Sequence, residues 1–265
     1  MQLTRQAKIS YLKPAWADQF TLWAGFSTRN GGVSRPPFNS LNLGLNTDDA
    51  AYNVEGNRST LCRAFNITPQ NLVTVQQTHG TDILVIDEPN IDISHFLSLE
   101  CDAIITNQAQ IMVGILVADC YPVLFWHPGA RVIAAAHVGW RGAAAGIIGK
   151  VVKALTDFFE ALPQELYCAV GPGISAHHYE VDRTVKEAFG QSGCRWEEIA
   201  HEKTFGHWQL DLHKCCRLQL EREGVTPGRI TDCEEFCTFG NRELFFSYRR
   251  DNGQTGRQMG FIMIK

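Results

Sequence analysis

The sequence lacks any apolar block long enough to cross a bilayer: its longest apolar stretch, Ile111 to Ala118, falls far short of the roughly 20 residues a membrane helix needs. Its opening, MQLTRQAKISYLKPAW, also lacks the apolar core of a secretory signal, so a cytoplasmic address is expected. Excess charge is equally scarce. With 24 Lys and Arg against 28 Asp and Glu, the formal net charge is -4, which gives no general attraction to nucleic-acid phosphates or anionic lipid. Neither nucleic acid nor membrane is an expected partner. No repeat period, low-complexity tract or Gly/Ser/Pro-rich linker divides the chain, so residues 1–265 are expected to form a single domain. A regular cysteine framework is missing too: the nine cysteines are odd in number and scattered, unlike the disulfide pattern of a small secreted protein.

What is present is 45% hydrophobic residues, enough for a substantial core. The segment 27–49, STRNGGVSRPPFNSLNLGLNTDD, is rich in turn-forming residues and reads as a functional loop or irregular connection. NLVTVQQ at 71–77 and TDILVID at 81–87 are β-prone, and the short Thr78-His79-Gly80 link between them would put His79 at a hairpin tip. IMVGILVAD at 111–119, VLFW at 123–126 and RVIAAAHV at 131–138 read as buried strands, with Cys120 and His137 near strand ends. From Ile147 to Leu162 apolar residues recur at helical steps, a pattern that places Phe158 and Leu162 on the same face and lets Pro163 end the helix. LYCAV at 166–170 and LFFSY at 244–248 read as strands, and 182–190 and 212–223 as helices stopped by Gly190 and Gly224. Strands and helices mix without strict alternation. The expected class is α+β, a layered arrangement of mixed sheets flanked by helices.

Three local texts carry chemistry: QTHG at 77–80, ADCYP at 118–122 and HVGWRG at 137–142. Each sets a metal-ligand type beside a strand end or tight turn. Two neutral imidazoles and one thiolate suit zinc, and three protein ligands leave the open fourth position of a catalytic rather than a structural site. The spacing is not that of a compact zinc finger, since 41 positions separate His79 from Cys120 and 17 separate Cys120 from His137. A lone His or Cys in an apolar sheet is more often a packed core residue. Cys215-Cys216 reads as helix packing, Cys233-x-x-x-Cys237 lacks a complementary pair, and GPGI at 171–174 reads as a turn.

Taken in order, STRNGGVS at 27–34, NLGLNTDD at 42–49, QTHG, ADCYPVLF, HVGWRG, GPGI and FFSYRRDNGQTGR at 245–257 closely resemble the bacterial laccase-domain family, also called the polyphenol oxidoreductase or purine nucleoside phosphorylase family. The match runs from about residue 20 to the C-terminus, with Thr78 and Val138 standing where Val and Ala are expected. The resemblance implies a zinc ion on His79, Cys120 and His137, and a β-sandwich core related to toxin-like cysteine hydrolases. It also implies phosphorolysis of adenosine, inosine, guanosine and methylthioadenosine, with adenosine deamination as a side activity. The expected small-molecule partners are therefore a purine nucleoside and phosphate. Arg141 and Arg58 are the candidates for the anion, because guanidinium forks match phosphate oxygens. Asn42 is a candidate for ribose or base, and Arg249, Arg250 and Arg257 could close the site or anchor the C-terminal segment.

Three rivals stand beside that expectation. Copper oxidation of phenols fits the ligand types, but no His-x-His pair occurs among the nine histidines, so copper is the weaker choice. A Cys-His amide hydrolase that edits peptidoglycan precursors would use Cys120 as nucleophile and His137 or His79 as base. A binding module with structural zinc would need a fourth ligand, for which Cys101, His127 and His178 are candidates.

Overall fold

In a computed structural model of the chain, which describes residues 1–88, 93–190 and 194–265, with the side chains of 93–95 left out, two six-stranded mixed sheets pack face to face. The first runs in the order Gln2–Gln6, Ile9–Lys13, Leu22–Ser27, Gln258–Ile264, Met112–Val117 and Leu72–Val73. The second runs Ile230–Thr231, Tyr167–Val170, Tyr121–His127, Val132–Val138, Ala103–Thr106 and Ile83–Ile86. Glu180–Asp182, His207–Leu210 and Ala200–Thr204 form a small third sheet, whose Val181, Trp208 and Leu210 join the core on the outer face of the second.

The period-2 geometry of a strand explains why the long apolar runs do not alternate with polar residues. In Tyr121–His127, Leu124 and Trp126 point into the inter-sheet core, while Tyr121, Val123 and Phe125 point to the opposite face. Both faces are covered, so both must be apolar. Helices Ile147–Phe159 and Leu212–Arg222 cover the outer face of the second sheet, and helix Ala51–Ala64 covers that of the first. The architecture is α+β, a mixed-sheet sandwich flanked by helices, as the sequence implies. Among the described residues, no helix is long and apolar enough to cross a membrane.

Four local expectations need correction. The runs at 71–77 and 81–87 do not form a hairpin. Leu72–Val73 pairs in parallel with Met112–Val117, and Ile83–Ile86 pairs in parallel with Ala103–Thr106, so His79 lies on a crossing between the two sheets. The 244–248 segment is not a strand: its buried Phe246 exchanges both backbone hydrogen bonds with the side-chain amide of Gln258. The late strand is Gln258–Ile264, central in the first sheet. Finally, the helix begun at Ile147 ends at Phe159, with Glu160 in the left-handed region, before Pro163 is reached. Phe158 and Leu162 are exposed rather than on the buried face.

Candidate metal centre

His79, Cys120 and His137 approach one another from three different segments, and their ligand atoms all lie within 4.8 Å of each other. Cys120 immediately precedes the Tyr121–His127 strand, and His137 is the penultimate residue of Val132–Val138. Those strands are antiparallel neighbours, with Pro122 opposite His137, so the thiol and the imidazole meet at one end of the second sheet. Asp119 adopts a φ of 92° just before Cys120. It is fixed there by Thr238 Oγ1 donating to Oδ1 at 2.7 Å and the Arg249 N–H donating to Oδ2 at 2.7 Å. Such a backbone persists only where its surroundings over-determine it.

The third ligand is delivered by a turn. His79 has a φ of 61°, and the successive N–H groups of Thr78, His79 and Gly80 all donate to the carboxylate of Asp102, at 3.1, 3.0 and 2.6 Å. Asp102 Oδ1 also lies 2.7 Å from His137 Nδ1. The imidazoles meet edge to face, with ring centroids 4.7 Å apart. Gly139 completes the cradle, because a Cβ there would sit 2.7 Å from His79 Nδ1 and 3.2 Å from Cys120 Sγ.

Electrostatics follow from this crowding. Burial alone would raise the Cys120 thiol, but the charge of His137 and hydrogen bonds from both histidines outweigh it and bring the pKa to about 6. Burial would likewise lower His137, yet Cys120 and Asp102 together raise it to about 9. In the metal-free pair each group thus favours the charged form of the other. The donor set fits a borderline cation such as zinc: a thiolate supplies charge, two imidazoles supply nitrogen, and among the described residues no fourth His, Cys, Asp or Glu joins the group. The alternative fourth ligands lie elsewhere. His127 accepts a hydrogen bond from the Ala130 N–H and faces Glu165, and His178 stacks on Phe239 beside Cys237.

The three residues open onto a cavity of about 540 Å³. Arg141 lines the same cavity, over the ring of Trp140 at 4.2 Å. So do Arg249, near Tyr179, and Arg257, near Tyr248, both from the C-terminal segment. Arg250 does not: its guanidinium is spent on Asp251 and on the carbonyls of Thr238, Phe239 and Phe245. Asn42 and Arg58 are buried and do not line the cavity. Asn42 organises the turn-rich loop, donating to Thr47 and Asp49 and accepting from the N–H groups of Gly44 and Arg257. Arg58 stands one residue behind the wall, donating to Leu43 O at 3.3 Å and to Thr74 Oγ1 at 3.0 Å, and Thr74 is a wall residue. Sequence reasoning missed Asp102, Gly139 and the aromatic partners of the arginines. For Asp102 the only signal was an acidic residue abutting the apolar AIIT run.

Comparison with known proteins gives a consistent picture. The family model described as multi-copper polyphenol oxidoreductase laccase matches residues 23–265. The protein named purine nucleoside phosphorylase YlmD of Bacillus subtilis is 34% identical over 246 residues, covering 91% of this chain and 88% of that protein. Purine nucleoside phosphorylase YfiH of Escherichia coli is 35% identical over 252 residues, covering 95% of this chain and 97% of that protein. The crystal structure of YlmD from Geobacillus stearothermophilus superposes with a TM-score of 0.90 at 32% identity, over 99% of this chain and 98% of that one.

Proposed function

The chain belongs to the multi-copper polyphenol oxidoreductase laccase family, and on that premise we propose that it is a zinc-dependent purine nucleoside phosphorylase. Its substrates in this proposal are adenosine, inosine, guanosine and methylthioadenosine, with adenosine deamination as a side activity. One observation carries it: a two-His, one-Cys donor set opens onto a cavity that also presents three guanidinium groups. Relatives matching most of the chain bear the phosphorylase name, which supports the same substrate class.

In this proposal His79, Cys120 and His137 hold the zinc ion, which when bound supplies positive charge and an open position for water, phosphate or a substrate atom. Arg141 takes the phosphate, with Arg249 and Arg257 in the same lining completing an anion-attracting cavity. The aromatic rings beside these arginines offer faces for a purine. In phosphorolysis a phosphate oxygen bonds to the ribose anomeric carbon as the bond to the purine nitrogen breaks, and the departing base takes up a proton. Holding nucleoside and anion together is what such a cavity contributes, and its volume lies within the roughly 300–1,000 Å³ of small-molecule sites. Asn42 and Arg58 act behind the wall, through Arg257 and Thr74. We take residues 1–265 as one domain bearing this activity.

The test is metal analysis of the purified chain together with product analysis after incubation with adenosine, with and without phosphate. Phosphate-dependent release of adenine and a sugar phosphate is expected, and its absence from zinc-loaded protein would overturn the proposal. A second reading, a Cys-His amide hydrolase, is favoured by the depressed Cys120 thiol beside His137. Zinc ligation would occupy that thiolate, so activity that rises on metal removal would favour the hydrolase.

A further inference from the structure

We propose that Asp102 is the positioning residue of the candidate metal centre, presenting His79 and fixing which ring nitrogen of His137 faces the metal. The proposal rests on the metal-dependent reading above and extends it to a residue that touches neither metal nor substrate.

Asp102 sits where the two sheets hand over to each other. It immediately precedes the Ala103–Thr106 strand, which pairs in parallel with Ile83–Ile86 on one side and antiparallel with Val132–Val138 on the other. The first neighbour follows the His79 turn and the second carries His137. Register is locked by the backbone as well, since the His137 N–H donates to the Asp102 carbonyl at 2.7 Å. The residue has no exposure to solvent.

Its two carboxylate oxygens are divided between the two ligands. Oδ2 accepts from the Thr78 N–H, from Thr78 Oγ1 at 3.2 Å and from the Gly80 N–H. Oδ1 accepts from the His79 N–H and meets His137 Nδ1. Successive N–H groups converging on one carboxylate form an anion-binding nest. Here the anion belongs to the chain itself, and closing the nest holds His79 in its left-handed conformation. A carboxylate with this many donors can only accept, so His137 Nδ1 must carry a proton. That leaves Nε2 as the nitrogen whose lone pair is available to a metal. A carboxylate bonded to the outer nitrogen of a ligating histidine fixes its tautomer and ring orientation in this way.

Asp102→Asn exposes the arrangement because the side chain keeps its shape but loses an acceptor. If the amide oxygen takes the Oδ2 position, the NH₂ group faces both the His79 N–H and His137 Nδ1. The first contact is donor against donor, and the second requires His137 to accept, which moves the proton to Nε2. The opposite orientation sets the NH₂ group against the Thr78 and Gly80 N–H donors and is worse.

The experiment is zinc competition with a chromophoric chelator, run beside nitrogen NMR spectra of histidine-labelled wild-type and Asp102→Asn protein. Zinc affinity of the variant is expected to fall roughly 10–100-fold. In metal-free protein held above a pH of about 9, where the His137 ring is neutral, its one proton is expected on Nδ1 in the wild type and on Nε2 in the variant. Affinity within twofold of wild type, or an unmoved proton, would overturn the inference. Should the variant fail to fold, the wild type alone remains decisive, because a zinc-loaded His137 ligating through Nδ1 would refute it. If the wild type binds no zinc, the metal reading falls by itself. The Nδ1–H bond to Asp102, read in the same metal-free spectra, then still decides the role of Asp102.

Discussion

Gly139→Ala should weaken metal binding at the centre while leaving the fold intact. Gly139 has φ -84° and ψ 171°, an extended backbone that alanine adopts without strain. The added methyl, however, would lie 2.7 Å from His79 Nδ1 and 3.2 Å from Cys120 Sγ. Ordinary contact begins near ~3.5 Å, so His79 must retreat by roughly 0.8 Å. A metal site tolerates only about 0.2 Å of error in its ligand distances. His79 is exposed and can swing toward solvent, whereas the buried backbone around Gly139 cannot move as cheaply. The cost of the extra methyl, roughly 1–3 kcal/mol for overpacking, therefore falls on ligation. That corresponds to a loss of about 5- to 150-fold in zinc affinity. The metal-free protein should be as stable as wild type or slightly more so, since the substitution reduces the freedom of the unfolded chain by about 0.4–1 kcal/mol. Chelator competition measures the first quantity and thermal unfolding of metal-free protein the second. Unchanged zinc affinity would refute the convergence of His79 and Cys120 on this point, and a metal-free unfolding temperature well below wild type would refute the assignment of the strain to the ligand.

Three further outcomes follow from the same geometry. Arg141→Lys keeps the charge but loses the guanidinium fork, so phosphate saturation of the proposed phosphorolysis should weaken while the proposed deamination, which would use water, suffers less; an equal fall in both would make Arg141 structural. In metal-free protein, alkylation of Cys120 should reach its plateau above a pH of about 6 and slow as pH falls below it, because a lowered pKa keeps the thiolate present down to that value. An alkylation profile centred near pH 8.5, the range of an ordinary thiol, would contradict this, with Cys120→Ala as the blank. Arg58→Ala removes a buried stem and strands Leu43 O and Thr74 Oγ1, costing at least about 2 kcal/mol in denaturant unfolding. Arg58→Met, which keeps the volume and removes the buried charge, should cost less.

The elements that the sequence makes legible are those whose partners do not matter. Helix Ile147–Phe159 is visible because its own spacing builds an apolar stripe, and strands Met112–Val117, Tyr121–His127 and Val132–Val138 because two buried faces demand continuous apolar runs. Helix Ala51–Ala64 is not visible. Its buried face includes Asn57 and Arg58, which are satisfied by Ser34, Ser40, Asn42, Leu43 and Thr74 rather than by apolar contact, so no stripe marks it. LFFSY at 244–248 misleads for the complementary reason: its apolar residues are buried, but a glutamine side chain takes the hydrogen bonds a neighbouring strand would have made.

The same division runs through the metal centre. A ligand announces itself by residue type, because few side chains other than His and Cys bring a soft donor to the end of an apolar strand, and three in one chain can be matched to a cation before any geometry is known. Asp102 and Gly139 do not announce themselves. An aspartate ahead of a strand reads as a turn residue, and a glycine after one reads as punctuation. Their importance lies in pairings that span large sequence separations: Asp102 with the 78–80 turn on one side and with His137 on the other, and Gly139 with His79 and Cys120. Mistaking the 78–80 link for a hairpin tip hid this, because a hairpin would satisfy its own N–H groups locally and leave no reason for a buried carboxylate. Once the flanking strands go to different sheets, three N–H groups are orphaned at the crossing. A buried acceptor then becomes a requirement of the fold, and the residue that meets it also faces His137 across the adjacent strand.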